Sequence, residues 1–311
     1  MVIARKSDVV FVVNESPTSS SVHQRPSSQS GSLKLACADF AFPLVPHTVA
    51  LNLISQLEFQ GVDIGFFEGR SHVQPSEALA SLDASARELK SMCEDRGLAI
   101  AELFLIPGLD LTDLSPNHPD IIVRRKSRDI FKASVAFARA CGAERLTSIP
   151  GMQWPNENPS QSFARCVEEM TWRCEHAASE GIPFCIEAHV GSIVERPAQV
   201  LALIQEVPNL RLAYDPGQFV FQGIDATELT PLLPYVTHVH ARGACKGNIQ
   251  AVAAENTIDY SLLITALQQL GYVGWVCSEY VWSAQGDCNR VDNLSETILL
   301  RNVLRANEMY D

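Results

Sequence analysis

Short apolar runs rich in β-forming residues alternate with longer amphipathic stretches eight times from Leu33 onward, which leaves the chain few architectures. The runs are LKLACADF (33–40), VDIGFF (62–67), LAIAELFLI (98–106), RLTSI (145–149), PFCIEAH (183–189), LRLAYD (210–215), THVHAR (237–242) and GWVCSEYV (274–281). Their length and composition read as strands. Four stretches between them close on Gly61, Gly97, Gly142 and Gly181, where a helix C-terminus commonly takes a positive φ. Pro197 opens another in its first turn. ATELTPLLPY is a poor helix, broken by Pro231 and Pro234, and YSLLITALQQLG and NLSETILLRNVLRAN complete the count. Such alternation predicts a parallel α/β fold. Eight units in roughly 280 residues is the size of a closed (β/α)8 TIM barrel. No G-x-G-x-x-G follows the first run, so a dinucleotide site has no support.

The expected organisation is one barrel domain over residues 33–311, preceded by an extension over 1–32. That extension holds a brief apolar run (DVVFVV) and then PTSSSVHQRPSSQSGS, whose Ser, Gln and Pro content suits a flexible segment. The run is too short and lacks the small-residue cleavage site of a signal peptide. With 311 residues and 46% apolar content the chain can bury a large core. Its net charge of −12 argues against a nucleic-acid partner. No stretch approaches the ~20 apolar residues that span a bilayer. Nine cysteines, none in a C-x-x-C pair, stand singly in apolar runs, the usage of buried thiols in a reducing cytoplasm.

Barrel chemistry gathers at the C-terminal ends of the strands. The fifth run ends in Glu187, the sixth in Asp215, the seventh carries His240, and the eighth reaches Glu279. One carboxylate at a strand end is usually a solvated charge, and one strand histidine is usually a core hydrogen bonder. Four in register on neighbouring strands point instead to a metal site. Period-two geometry puts Glu187 and His189 on one face, and His238, His240 and Arg242 on another, with His240 nearer the mouth. Three carboxylates and one imidazole suit Mn²⁺, Mg²⁺ or Co²⁺ better than Zn²⁺.

The segments IEAH (186–189), YDPGQF (214–219), HVHARG (238–243), NTIDY (256–260) and GYVGWVCSEY (271–280) resemble the xylose isomerase-like barrel superfamily of sugar isomerases and epimerases, which also contains endonuclease IV. The likeness spans roughly residues 33–305. It implies that Glu187, Asp215, His240 and Glu279 hold one divalent cation, and that Glu187 and Glu279 also move protons on opposite faces of a keto-sugar. Lys246 falls where the epimerase branch places a substrate-contacting Arg, and His189 where relatives place a polar substrate contact. Gln218 stands where that pattern has a histidine, and it cannot carry charge or move a proton. Glu255-Asn256-Thr257 replaces a glycine-containing turn. Gln218 and Arg242 stand where endonuclease IV would need further ligands.

Such a site grips a carbonyl and its neighbouring hydroxyl, acidifies the C–H between them, and yields an enediolate. The leading expectation is an isomerase or epimerase of a keto-sugar or polyol derivative. The alternatives are a lyase on the same scaffold (dehydratase, 3-keto-glycoside or C-glycoside eliminase, 3-keto-acid decarboxylase) and a non-catalytic sugar-binding subunit. Further substrate contacts are expected from Gln218, Arg242, Lys246, Trp154, Trp282, Glu68 and His72, with Arg70 beside them. A homo-oligomer is compatible with the resemblance.

Overall fold

The computed structural model describes residues 33–306. The extension read over 1–32 lies outside the described residues. Eight parallel strands close into one barrel in chain order: β1 Lys34–Ala38, β2 Gly61–Phe67, β3 Ala99–Ile106, β4 Leu146–Ser148, β5 Phe184–Glu187, β6 Arg211–Tyr214, β7 Val236–Ala241 and β8 Trp275–Ser278. Closure is made by β1, which pairs with β2 on one side and β8 on the other. The fold is the expected (β/α)8 barrel. Among the described residues no helix is long and apolar enough to cross a membrane.

Strand alternation sorts the apolar residues into two layers. Leu35, Val62, Ile64, Phe66, Ile186 and Val276 pack outward against the helices, while Ala36, Ala38, Phe67, Phe104 and Cys277 fill the barrel interior. Trp275 closes the lower end. Its indole N–H donates to Glu144 Oε2 at 2.8 Å, and the Lys34 ammonium lies 4.9 Å from its ring centre.

Two irregularities interrupt the ladder. Between β2 and β3 the pairing passes from Val62↔Ile100 to Asp63↔Glu102, so Ala101 is an extra residue. Between β6 and β7 it passes from Leu212↔Val236 to Ala213↔His238, skipping Thr237. Each is a β-bulge, which changes which face the following residues occupy.

Local chemistry departs from expectation at a few places. Gly97, Gly142 and Gly181 have φ of 67°, 83° and 75°, as helix-terminating glycines do. Gly61 does not cap the first helix, His47–Gln56. Glu58, at φ 60°, makes that turn, and Gly61 begins β2. A Cβ at Gly61 would come within 2.6 Å of the Trp275 ring, so this glycine makes room for the plug. The stretch after the second strand breaks at Ser81 into Pro75–Ala80 and Leu82–Glu94. The five-residue helix Pro216–Val220, too short to show periodicity, starts at once after β6.

The helices Ile121–Cys141 and Pro159–Ser179 are joined through a buried carboxylate. Glu169 accepts from Arg173 Nη1 at 2.6 Å and from Arg128 Nε at 3.0 and 3.1 Å, and Arg173 Nη2 also donates to Ser127 at 3.0 Å. Arg173 and Glu169 are both fully buried. Glu169→Ala therefore strands a buried guanidinium and is expected to cost roughly 3–5 kcal/mol. Urea denaturation at pH 7 measures it. A loss below about 1 kcal/mol, the size of an exposed pair, would show that the network does not hold the helices together.

Candidate active site

Alternation along β5, β7 and β8 carries Glu187, His240 and Glu279 to one point above the barrel interior. Glu187 ends β5 two residues after the inward Cys185, and Glu279 follows β8 two residues after the inward Cys277. His240 Nδ1 lies 2.9 Å from Glu187 Oε1 and 3.0 Å from Glu279 Oε2. Its other nitrogen, Nε2, is hydrogen-bonded to Glu102 Oε2 at 2.8 Å. Glu102 also accepts from the Thr147 hydroxyl. One layer deeper, His238 Nε2 meets Asp63 Oδ2 at 2.6 Å. All six groups are buried.

Asp63 and Glu102 were not legible as site residues. The only signal was an acid in the middle of an apolar strand run, as in VDIGFF and LAIAELFLI, where an unpaired carboxylate would be costly. The bulge at Ala101 turns Glu102 inward, so regular parity along β3 does not predict its direction.

Asp215 is not drawn into the same cluster. It caps the helix Pro216–Val220, one oxygen accepting from Gly217 N–H at 2.7 Å and the other ion-paired to Arg242. Tyr260 and Tyr280 fix the chain leaving β7: Arg242 N–H donates to the Tyr260 hydroxyl at 2.8 Å, and Gly243 N–H to the Tyr280 hydroxyl at 2.9 Å. In place of a glycine turn, Asn256 accepts from Ala244 N–H at 3.0 Å. Gln218, fully buried, accepts from Val190 N–H at 3.0 Å and so anchors the loop after β5, while His189 Nδ1 lies 2.7 Å from the Val190 carbonyl.

A cavity of about 440 Å³ opens above this floor. Glu187, Glu279, Arg242, His189, Gln218 and Trp282 line it, as does Arg70. His240 and Asp215 lie beneath the lining. Four expected contacts stand elsewhere. Glu68 accepts from Ser76 N–H and hydroxyl at 3.0 and 2.6 Å, at the start of the helix Pro75–Ala80. The His72 ring stacks on His47 at 4.7 Å. Trp154 donates to the Asn117 carbonyl at 3.1 Å and packs edge-on against His118. Lys246 lies exposed against Gly223. A larger cavity, about 720 Å³, lies at the opposite end of the strands around Arg145, Pro183 and Gly274 and holds none of these groups. Barrel chemistry belongs to the C-terminal end, which is the smaller cavity.

The electrostatics follow from burial and crowding. Burial pushes the Glu279 carboxyl up to about 8, against the pull of His240 and Arg242 and with help from Glu187. Burial alone would lower His240, but Glu279 and Glu102 hold it well above the usual imidazole range. The charges of His238 and His240 outweigh burial at Glu102 and bring it down to about 2.

Glu187, His240 and Glu279 offer two carboxylate oxygens and one imidazole nitrogen within 4.8 Å of one another. Glu279 Oε2 is buried, and its 3.0 Å approach to His240 Nδ1 is a charge contact without hydrogen-bond geometry, so its lone pairs stay free among the described residues. An imidazole whose second nitrogen is held by a carboxylate is the arrangement metal-binding histidines commonly have. The donors therefore fit a divalent cation.

The sequence profile of the xylose isomerase-like TIM barrel family matches residues 51–302. The chain belongs to that family. No curated protein matches the sequence. Solved structures similar to this xylose isomerase-like barrel include the probable 3-DHS dehydratase AsbF from Bacillus anthracis, at 16% identity and TM-score 0.64, covering 87% of this chain and 99% of that one. D-psicose 3-epimerase from Clostridium cellulolyticum H10 is 14% identical with TM-score 0.67, covering 89% and 96%. The IOLI protein with a bound zinc atom is 15% identical with TM-score 0.68, covering 90% and 100%. At these identities the likeness is one of fold.

The thiols near the floor are not nucleophiles by this geometry. Burial pushes Cys277 well above the usual thiol range and raises Cys185; away from the floor, on the helix Pro159–Ser179, it takes Cys166 up to about 12. Eight of the nine cysteines are buried, and Cys245 is half-exposed. A thiolate-specific disulfide reagent at pH 7.5 is expected to label about one thiol per native chain within minutes, and all nine after denaturation. Fast labelling of two or more native thiols would contradict this picture.

Proposed function

We propose that the chain is a divalent-metal-dependent isomerase or epimerase of a keto-sugar or polyol derivative. The observation that carries the reading is the convergence of Glu187, Glu279 and His240 Nδ1, with Glu102 holding the far side of the imidazole, on the floor of a strand-end cavity.

Glu187, His240 and Glu279 would hold the cation. Asp215 is proposed as the fourth ligand, which requires it to share or give up Arg242. When bound, the cation supplies Lewis acidity to a carbonyl and acidifies the adjacent C–H. The oxygen-rich donor set favours Mn²⁺, Mg²⁺ or Co²⁺. The zinc in the IOLI structure makes Zn²⁺ one of the ions to test for.

Around that centre the side chains divide the work. Glu187 takes the proton from the carbon beside the carbonyl. Glu279, on the other side of the imidazole nitrogen from Glu187, returns one. Glu102 keeps Nδ1 of His240 aimed at the two glutamates. Arg242, whose Nε lacks a hydrogen-bond partner among the described residues, presents fixed positive charge to an oxyanion or a substrate carboxylate. His189 and the uncharged Gln218 shape the rim. The same Arg242 favours a second reading, a lyase in which a β-substituent departs from the common intermediate.

Incubation of a ketose panel (D-fructose, D-tagatose, D-psicose) in D₂O with each divalent ion tests the reading. Solvent deuterium is expected in the recovered sugar, and Glu187→Gln or Glu279→Gln is expected to slow exchange at least ~100-fold. Chelation should abolish exchange, and one divalent ion should restore it. An enone, a free leaving group or CO₂ from a keto-glycoside or keto-acid would replace the isomerase reading with the lyase one. A purified protein with no divalent ion, whose activities Glu187→Gln leaves unchanged, would leave only a sugar-binding subunit.

A further inference from the structure

The cavity over the glutamates has two unlike sides. One side, from the loops after β5 to β8, carries Glu187, His189, Gln218, Arg242 and Glu279. The other, from the ends of β1 to β3 and the loop after them, carries Phe40, Phe67, Phe104, Ile106, Leu109 and Leu111, with only Arg70 and Asp110 adding polar groups. The three phenylalanines form a continuous run. Phe40 and Phe67 meet edge to face at 4.9 Å, Phe67 and Phe104 at 5.2 Å, and Phe104 lies over the His240 ring at 5.4 Å. The aromatic surface therefore reaches from the rim down to the imidazole of the charged floor. Leu109, 69% exposed, extends it outward, and Trp282, 40% exposed, also lines the mouth.

This division limits what fills the cavity. A free polyhydroxylated sugar needs a hydrogen-bond partner for each hydroxyl it buries, and the aromatic side offers only Asp110 and the Arg70 guanidinium, which lies 5.1 Å from the Phe67 ring centre, while Phe40 and Phe104 offer none. The volume of about 440 Å³ is in the range that encloses drug-sized ligands. Flat rings pair edge to face with such phenylalanines.

We propose, building on the enzymatic reading above, that the substrate is a carbohydrate-like head bearing an aryl substituent. The head lies on the Glu187–Glu279 floor and the aryl group on the Phe40–Phe67–Phe104 wall. The substrate class is then the keto form of an aryl glycoside, which carries the carbonyl the floor acts on, rather than a free monosaccharide, and the plain aryl glycoside serves as a binding probe for it.

Isothermal titration of the wild-type protein with phenyl β-D-glucopyranoside, D-glucose and D-fructose reads this directly. The phenyl glycoside is expected to bind at least about tenfold tighter than either free sugar. Leu109→Asn, at an exposed position that the fold does not depend on, should cut phenyl-glycoside affinity severalfold. Equal or weaker binding of the phenyl glycoside, or no binding of it, overturns the proposal, as does a Leu109→Asn variant with unchanged affinity for it. Binding is read without turnover. A failure here leaves deuterium exchange into free ketoses standing, and a failure of exchange leaves a measured aryl preference standing.

Discussion

Five of the carboxylates buried in this barrel and its mouth are answered from β7 or its exit. Asp63 meets His238, Glu102, Glu187 and Glu279 meet His240, and Asp215 meets Arg242. The three basic side chains are two residues apart, so one strand presents them as a column from the barrel interior to its mouth. Buried charge is tolerated only when paired and hydrogen-bonded. The acids thus depend on β7 remaining in register, and the Tyr260 and Tyr280 hydroxyls that fix the exit of β7 serve that same column. The column holds fewer basic groups than acids. That surplus of negative charge makes the donors at the mouth fit a cation, and it adds to the burial that raises the Glu279 carboxyl.

Much of this was legible from residue order. Strand–helix alternation specified the barrel, and strand ends pointed to Glu187, His240 and Glu279 at the correct end. Parity by itself said only which residues of a strand share a face, and the four-residue set that included Asp215 came from strand ends; both depend only on short-range periodicity. Other features depend on what another segment does. Gly61 reads as a helix cap until Trp275, more than two hundred residues away, is seen to need its space. Trp154 and Glu68 have the right chemistry and the right loops, yet Asn117 and Ser76 engage them first. Asp215 and Arg242 each read as site residues, but nothing in their spacing reveals that they pair with each other. Asp63 and Glu102 escaped because they occupy strand interiors, where attention to strand ends does not reach.

The pairing of Asp215 with Arg242 also bears on how the site distributes its positive charge. A guanidinium is always charged and presents its donors in a fixed plane. It satisfies Asp215 while remaining on the cavity lining beside both glutamates. A lysine there would offer a point charge without that planar geometry. Gln218, where a charged or titrating histidine is common in the epimerase pattern, shifts further responsibility for charge onto Arg242.

The bulge at Ala101 has an implication for how such a barrel diverges. Glu102 faces the imidazole because β3 contains one residue more than its neighbour's pairing needs. A regular ladder in which Ala101 paired with Asp63 would keep the same composition, yet it would send the carboxylate to the helix side. His240 would then lose the acid that holds its far nitrogen. For this part of the protein, pairing register matters as much as residue type, and two homologues with identical strand chemistry can differ in whether the imidazole is held.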